Sequence, residues 1–367
     1  MYFEFQNLND AVLGLSREIL KVGHRERRGK NFAGNECIEF PGCTLIRIVD
    51  PTDRYIRIPE RKWNKTLGWI ESLWLARGEN HLEMPAAYVK NLVNFSDDGE
   101  TMRAGYGPRI RDYGNHFAVY DGLNGELYHN QYVSKRGVKA ESMTDETVDQ
   151  LRFVIKKFEE DLGTREAVIT IHDPVADDFT WKGGEQVILP TKDTPCTRSI
   201  HFMVVNGKMN CYVDIRSNDL IWGFSAVNVF NFTLMQEYVA AIVGVPVGEY
   251  FHKADNLHIY ESSIDMVKAI ANTDAHWAPI DTANKRFTYQ PTYHTLEEFD
   301  SLIEALSDFE AGCRGDKDLP YDDDEAIEVL QAIKDPLFQD WARVIYRKWS
   351  KKSVKFVNPM LNELFGE

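Results

Sequence analysis

Apolar residues recur at helical spacing in several stretches of the chain. Over residues 8–22 they lie three and four positions apart, and the pattern stops at Gly23. The same spacing predicts a helix over residues 66–76 and an amphipathic one over residues 145–162. Residues 229–243 are apolar nearly all round, which predicts a helix buried in the middle of a domain.

Strand signals lie between these helices. The apolar run at 167–171 predicts one strand. Residues 199–205 and 208–215 flank Asn206-Gly207, which is the strongest short signal for a hairpin. Helices combined with hairpin-connected strands predict an α+β fold.

The pattern changes near residue 294. Thr295 and Glu298 form a capping box ahead of an amphipathic helix, and an acidic tract at 322–325 precedes two further helices. We therefore predict one main α+β domain over residues 1–293 and a helical C-terminal extension over residues 294–367.

Composition and charge restrict the possible classes of protein. Hydrophobic residues make up 43% and charged residues 27%, which is typical of a globular chain. The 42 Lys and Arg against 57 Asp and Glu give a net charge of −15, which argues against direct binding of nucleic acid. No apolar run of about 18 residues occurs, so we expect no membrane span. The N-terminus lacks the features of a signal peptide.

The cysteines indicate a reduced compartment. There are five, an odd number, and none forms a CxxC pair. We therefore expect a cytoplasmic protein without a structural metal site, in which one thiol remains available as a nucleophile.

The most informative stretch covers residues 194–224. Cys196 follows a proline just before an apolar strand, and the next strand ends in Arg216. Hairpin pairing would bring both residues to the same end of a sheet. A nearby guanidinium lowers the pKa of a thiol and also suits a phosphate. A buried structural cysteine beside a surface arginine fits the same spacing equally well.

Motifs in a shared order resemble the thymidylate synthase superfamily, which includes the phage deoxycytidylate and deoxyuridylate hydroxymethylases. The resemblance runs in patches from about residue 8 to residue 262 and implies a mixed β-sheet with packed helices. The matching patches are PC at 195–196, RSND at 216–219, Asn228 before the buried helix, HIY at 258–260, Glu71 in IESLWLARGEN, Tyr106-Gly107 in AGYGPR, and LGTR at 162–165.

The resemblance implies a covalent mechanism with 5,10-methylenetetrahydrofolate as cofactor. Cys196 matches the thiolate that attacks carbon 6 of a pyrimidine nucleoside monophosphate and so makes carbon 5 nucleophilic. Glu71 matches an acid/base that acts through water, and Tyr106 matches a proton-relay hydroxyl. Asp219 matches the carboxylate that holds the pterin, and Trp74 matches a cofactor contact. Taken singly, each of these residues also fits an ordinary solvated or packing role.

Further matches concern the sugar and the phosphate. The resemblance assigns Arg216 and Ser217 to the phosphate, and His258 and Tyr260 to a sugar hydroxyl. The family forms homodimers in which paired arginines of one subunit reach the phosphate site of the other. Arg165 matches the first of these arginines.

Two positions depart from the family pattern at the phosphate site. Glu166 stands where the second paired arginine is expected. The basic loop that includes Arg28 occupies the position of another phosphate-binding arginine, although the usual RTGTGT pattern is absent.

The details of the motifs favour a 5-hydroxymethylase over a synthase. Thr197 follows the cysteine where synthases carry His, and no apolar closing tail is recognisable in NPMLNELFGE. A synthase must exclude water from its exocyclic methylene intermediate, whereas a hydroxymethylase must admit it. A thymidylate synthase and a catalytically silent nucleotide-binding paralogue remain alternatives.

The choice of base depends on Asn228. An amide both donates and accepts, which suits the imide edge of uracil, whereas cytosine-specific phage enzymes carry Asp. This favours dUMP, with dCMP and CMP as alternatives. Asn228 lies one residue further from RSND than in the family pattern.

Overall fold

The chain folds into two compact units. The computed structural model describes residues 1–28, 36–114, 147–277, 279–280, 287–315 and 320–366, together with the backbone of two strands at 116–120 and 127–132. The first unit comprises Met1–Trp69 and Phe202–Glu367. The second comprises Ile70–His201.

The first unit is built on a mixed sheet, which confirms the predicted α+β class. β1 runs parallel to β4, β4 antiparallel to β13, and β13 parallel to β11. The last four residues of β10 continue this sheet beside β11. The ranges are β1 (Tyr2–Phe5), β4 (Thr44–Ile48), β10 (Thr197–Val205), β11 (Lys208–Ile215) and β13 (Val247–Ala254).

A smaller sheet in the same unit aligns three polar residues. Its strand order is β12 (Asn218–Asp219), β14 (Leu257–Tyr260), β3 (Glu36–Glu39) and β2 (His24–Arg27). Asp219 lies opposite His258, and His258 lies opposite Glu39. Residues opposite one another on neighbouring strands point to the same face, so these three side chains form one row.

Two helices pack on the larger sheet of the first unit, and a third packs on one of them. Helix α1 (Leu8–Val22) contacts β1, α7 (Val229–Val243) contacts β11 and β13, and α8 (Ile264–Asn272) packs on α1. The side chain of Asn7 accepts a hydrogen bond from the Asp10 amide and so caps α1. A π-helical segment, Leu220–Asn228, leads directly into α7.

The segment after residue 294 is helical and belongs to the first unit. The predicted capping box of Thr295 and Glu298 is confirmed at the start of α9. The indole N–H of Trp341 donates to the backbone carbonyl of Trp69 at 2.9 Å. A domain boundary at residue 293 stays a prediction. The helices are α9 (Leu296–Arg314), α10 (Asp323–Ala332), α11 (Pro336–Ser350) and α12 (Pro359–Phe365).

The second unit begins inside α2 (Leu67–Ala76) and ends inside β10. The first residues of β10 pair with β7 in antiparallel register. The remaining elements are α3 (Glu83–Tyr88), α4 (Tyr106–Arg111), β5 (His116–Tyr120), β6 (Leu127–Tyr132), α5 (Gln150–Glu160), β7 (Val168–Thr170), α6 (Pro174–Asp177), β8 (Phe179–Lys182) and β9 (Glu185–Ile188).

The insertion at 174–193, for which the sequence offers no account, consists of α6 and a hairpin. Strands β8 and β9 pair around Gly183 and Gly184, whose φ angles are 60° and 82°. Both glycines adopt the left-handed conformation that a two-residue hairpin turn requires.

One long apolar helix has the length and composition of a membrane span. It covers Leu220–Val243, but 83% of its apolar window is buried inside the protein. The core helix of a globular domain passes the same test, so this single segment is weak support for a membrane location.

Candidate active site

Cys196 and Tyr106 form the centre of the candidate site in the second unit. Cys196 is half-buried directly before β10, and Tyr106 is the first residue of α4. The Tyr106 hydroxyl accepts a hydrogen bond from the Thr197 amide at 3.2 Å. Burial, together with the charge that Cys196 carries as a thiolate, raises the pKa of Tyr106. The phenol therefore stays protonated at neutral pH.

Asp193 lies three residues before the candidate nucleophile and was not predicted from the sequence. Its carboxylate accepts a hydrogen bond from the Ala104 amide at 2.8 Å. Burial raises the pKa of Asp193 to about 6, although the guanidinium of Arg109 acts in the opposite direction. The group therefore titrates just below neutral pH.

Glu71 and Trp74 lie one turn apart on α2, which places them on the same helical face. Glu71 is half-buried and Trp74 is buried. The indole N–H of Trp74 donates to the backbone carbonyl of His81 at 2.9 Å.

Arg165 and Glu166 lie on the surface of the second unit. Glu166, at the position of the missing second arginine, pairs with Lys157 at 2.8 Å. The Lys157 ammonium holds the pKa of Glu166 below its ordinary value. Glu166 thus forms its ion pair within the second unit.

In the first unit, the two carboxylate oxygens of Asp219 have different surroundings. One oxygen caps the π-helical segment by accepting from the Trp222 amide. The other, Oδ1, is buried and has no hydrogen-bond partner among the described residues. Burial raises the pKa of Asp219, against the opposing effects of His258 and Arg61.

His258 and Ser217 share one partner, Asn256. The Asn256 Oδ1 atom lies 2.8 Å from Nδ1 of His258 and accepts from the Ser217 hydroxyl at 3.2 Å. The ring of Tyr260 packs edge-on against His258 at a centroid distance of 5.0 Å. Burial lowers the pKa of His258. Arg216, just before Ser217, is exposed.

Arg28 is engaged with a residue that the sequence analysis did not single out. Its guanidinium donates to both carboxylate oxygens of Glu39, at 2.9 and 2.8 Å. Glu39 is 2% exposed, whereas Arg28 is 65% exposed. Arg28 lowers the pKa of Glu39 to about 2.

Asn228 is the last residue of the π-helical segment and is half-buried. A π-helix bonds each residue to the fifth one along, so it accommodates one residue more per turn than an α-helix. Buried Arg61 holds the segment, donating to the carbonyl of Ile221 at 2.6 Å and to the Ser225 hydroxyl at 2.9 Å.

The predicted residues thus fall into two described groups. In the second unit the structure brings Cys196 and Tyr106 together. In the first unit it brings Asp219 beside His258, and it joins His258 and Ser217 through Asn256. Three residues that sequence reasoning missed are Glu39, Asn256 and Asp193. For Glu39 the one available signal is an acidic residue at an inward position of a strand.

A sequence model of the family described as thymidylate synthase matches residues 13–302. Because this match covers most of the chain, the protein belongs to the thymidylate synthase family. It is therefore a one-carbon transferase, of a family whose substrates are nucleotides and folates.

Individual relatives refine this assignment. The deoxyuridylate hydroxymethyltransferase of Bacillus phage SP01 is 30% identical over 304 residues, which span 79% of this chain and 70% of the relative. That of Pseudomonas phage M6 is 30% identical over 272 residues, 74% of this chain and 64% of the relative. The thymidylate synthase of Listeria monocytogenes serotype 4b is 25% identical over 234 residues, 57% of this chain and 70% of the relative.

The described residues fit a folate. The unpartnered Oδ1 of Asp219 is a buried acceptor, and the N–H groups of a pterin ring are donors that satisfy it. Trp222, whose amide binds the other oxygen of Asp219, is 45% exposed and offers an aromatic surface. Among the described residues, no group of three or more His, Cys, Asp or Glu side chains has the arrangement of a metal site.

Proposed function

We propose that the protein is a folate-dependent 5-hydroxymethylase of pyrimidine nucleoside monophosphates, with dUMP as the favoured substrate. The observation that carries this choice is the named activity of the two phage relatives, each 30% identical over about three quarters of the chain. Thr197, directly after the nucleophile, supports the same choice.

In the proposed reaction Cys196 forms a bond to carbon 6 of the pyrimidine, which makes carbon 5 nucleophilic. Bound 5,10-methylenetetrahydrofolate supplies the one-carbon unit. Glu71 holds a water molecule near the base, and Tyr106 exchanges the proton at carbon 5 through its hydroxyl. Carbon 5 bonds to the one-carbon unit, and loss of the carbon 5 proton expels tetrahydrofolate and leaves an exocyclic methylene. Water then adds to this methylene and loses a proton, and the bond to Cys196 breaks as the ring double bond re-forms, which releases the thiolate.

Other side chains bind rather than react. Arg216 and Ser217 hold the phosphate, because a guanidinium fork matches two phosphate oxygens. His258 and Tyr260 contact the sugar hydroxyl. Asp219 holds the pterin through its unpartnered oxygen, which is also the atom best placed to select a ligand with N–H donors.

The remaining assignments concern the base, the phosphate and the assembly. Asn228 reads uracil through its amide, which both donates and accepts. Arg28 assists at the phosphate of its own chain and Trp74 contacts the folate. Arg165 serves the phosphate site of a second subunit in a homodimer. We place the reaction in the cytoplasm, as the free cysteines indicate.

Product mass tests the proposal directly. The protein is incubated with 5,10-methylenetetrahydrofolate and each of dUMP, dCMP, UMP and CMP. We expect dUMP to gain a hydroxymethyl group, with release of tetrahydrofolate. A hydroxymethyl product from dCMP or CMP alone would overturn the role of Asn228.

A second candidate is a thymidylate synthase, favoured by the 25% identity to the Listeria enzyme. A synthase would convert dUMP to a methyl product and release dihydrofolate, which absorbs in the near ultraviolet. The absence of any product with all four nucleotides, despite nucleotide binding, would instead indicate a silent paralogue.

A further inference from the structure

The carboxylate of Glu39 is buried and fully engaged by donors. Arg28 occupies both oxygens, and the thiol of Cys37 donates to Oε1 at 3.2 Å. Burial raises the pKa of Cys37 to about 12, so this thiol stays protonated. The side-chain amide of Asn256 also hydrogen-bonds Glu39. Glu39 therefore has no spare acceptor capacity for a ligand.

Glu39 dictates which way the Asn256 amide points. An ionised carboxylate only accepts hydrogen bonds, so Asn256 must turn its NH₂ group toward Glu39. Its oxygen then faces Ser217 and His258, at 3.2 and 2.8 Å.

The orientation of Asn256 in turn constrains the tautomer of His258, which also hydrogen-bonds the Asn256 backbone. An amide oxygen accepts only, so Nδ1 of His258 must carry the proton. Burial lowers the pKa of His258, and the neutral ring therefore presents Nε2 as an acceptor. The ligand group that faces Nε2 must be a donor, such as a hydroxyl, and not a carbonyl or phosphate oxygen.

We propose that Glu39 is a positioning residue that acts through Asn256 to hold His258 as the Nδ1–H tautomer, so that its Nε2 accepts a hydrogen bond from a sugar hydroxyl of the nucleotide. The inference rests on the proposed nucleotide site. Neither motif matching nor the family resemblance assigns a role to Glu39 or Asn256. The same carboxylate also anchors Arg28, which couples the sugar contact to a phosphate-binding arginine.

Nitrogen NMR of the unmodified protein tests the first half of the proposal. The protein is labelled with ¹⁵N-histidine, and His258 is assigned by its loss in a His258→Gln variant. We expect a neutral ring with the proton on Nδ1 in the ligand-free protein. A proton on Nε2 would overturn the proposal, whatever the protein is later found to bind.

The second half of the proposal is the control of His258 by Glu39. It is tested by making the carboxylate and the amide at positions 39 and 256 change places. In Glu39→Gln the new NH₂ group faces Asn256, whose amide must reverse and present donors to His258. The proton of His258 should then move to Nε2, and Kd for dUMP without folate should rise about tenfold. In the double variant Glu39→Gln/Asn256→Asp, the carboxylate at 256 again accepts from His258. We expect the Nδ1–H tautomer to return and Kd to lie within about threefold of the original.

Glu36→Gln is the matched control, because Glu36 lies on the same strand and is exposed. An unchanged tautomer in Glu39→Gln, or no recovery in a folded double variant, would contradict the inference. Failure of the proposed function has a different signature: the unmodified protein would bind none of the four nucleotides, while His258 NMR would still decide its tautomer.

Discussion

Cys196 is the residue on which the proposed reaction depends most. Replacing it with Ser leaves a hydroxyl that is far less nucleophilic than a thiolate at neutral pH. We expect Cys196→Ser to lose on the order of a thousandfold or more in kcat while Kd for dUMP stays within a few fold. Rapid-quench turnover and equilibrium dialysis measure the two quantities.

Cys43 provides the control for that substitution, because it is an exposed thiol in the first unit. Cys43→Ser should keep full turnover. Turnover by Cys196→Ser at the original rate would refute covalent activation by this thiol.

Asp193 predicts how stability depends on pH. Burial raises its pKa to about 6, compared with about 4 in an unfolded chain. The folded protein thus binds this proton more tightly, and stability falls as the pH rises from about 4 to about 6. In Asp193→Asn the side-chain oxygen can still accept from the Ala104 amide. The fall in stability with rising pH is removed, because asparagine does not titrate.

We therefore expect Asp193→Asn to be more stable than the original by about 1 to 3 kcal/mol above pH 6, and equal to it below about pH 4. Urea unfolding at pH 4, 5, 6 and 8 measures the difference. A constant difference at every pH would show that the carboxyl group does not titrate in this range.

At the scale of elements, several predictions from periodicity are confirmed. The bounds of α1 and α7 agree with the predicted ranges, since apolar spacing and a terminal glycine determine both. The hairpin turn at Asn206-Gly207 is confirmed, with φ angles of 52° and 74°. Local sequence is enough to predict an element when the element is long, or when its turn requires particular residues.

Other elements differ from expectation for local reasons. Helix α5 begins at Gln150, because the side chain of Asp149 caps it; residues 145–146 lie outside the described part. The acidic tract that begins at Asp322 forms a capping box at the start of α10. The GYG sequence at 105–107 opens helix α4.

Gly107, the second residue of α4, is a position that is sensitive to substitution. A Cβ atom at 107 would lie 2.3 Å from the carbonyl oxygen of Glu79, which is backbone and has no rotamer to change. We expect Gly107→Ala to lose about 3 kcal/mol of unfolding free energy and to displace Tyr106.

Urea unfolding and near-ultraviolet circular dichroism measure these two effects. Gly42→Ala is the comparison, since nothing lies within 4 Å of a Cβ atom at that position. We expect it to remain within about 1 kcal/mol of the original. Equal stability of the two variants would show that α4 can shift away from Glu79.

At the scale of the whole molecule, the helices after residue 294 contribute to the core of the first unit. Trp341 is fully buried, its ring packs at a tilt against that of Trp69 at 5.7 Å between ring centroids, and its indole N–H donates to the Trp69 carbonyl. Trp341→Ala should cost about 3 to 5 kcal/mol, because it leaves a large cavity.

Trp181, which is 42% exposed on the β8–β9 hairpin, supplies the matched control. Trp181→Ala should change the unfolding free energy by less than about 1 kcal/mol. Comparable losses in both variants would refute the assignment of α11 to the core.

The site is only partly predictable from sequence. Cys196 and Tyr106 lie in recognisable motifs, and the structure brings them together as the motifs imply. Glu39 and Asn256 carry no motif, because their roles arise from register between strands that are more than 200 residues apart in the chain. Hydrogen-bond networks of this kind depend on three-dimensional pairing that periodicity does not encode.

The first unit is formed by two separate segments of the chain, so its two parts are synthesised at different times on the ribosome. Strand β4 ends at Ile48, but its neighbour β13 begins only at Val247. At roughly 5 to 20 residues per second, about 10 to 40 seconds of synthesis separate the two strands. The continuous segment Ile70–His201 emerges whole within this interval and can collapse first. Strands β1 and β4 meanwhile need shielding, which makes the nascent chain a natural client for chaperones until the last third is made.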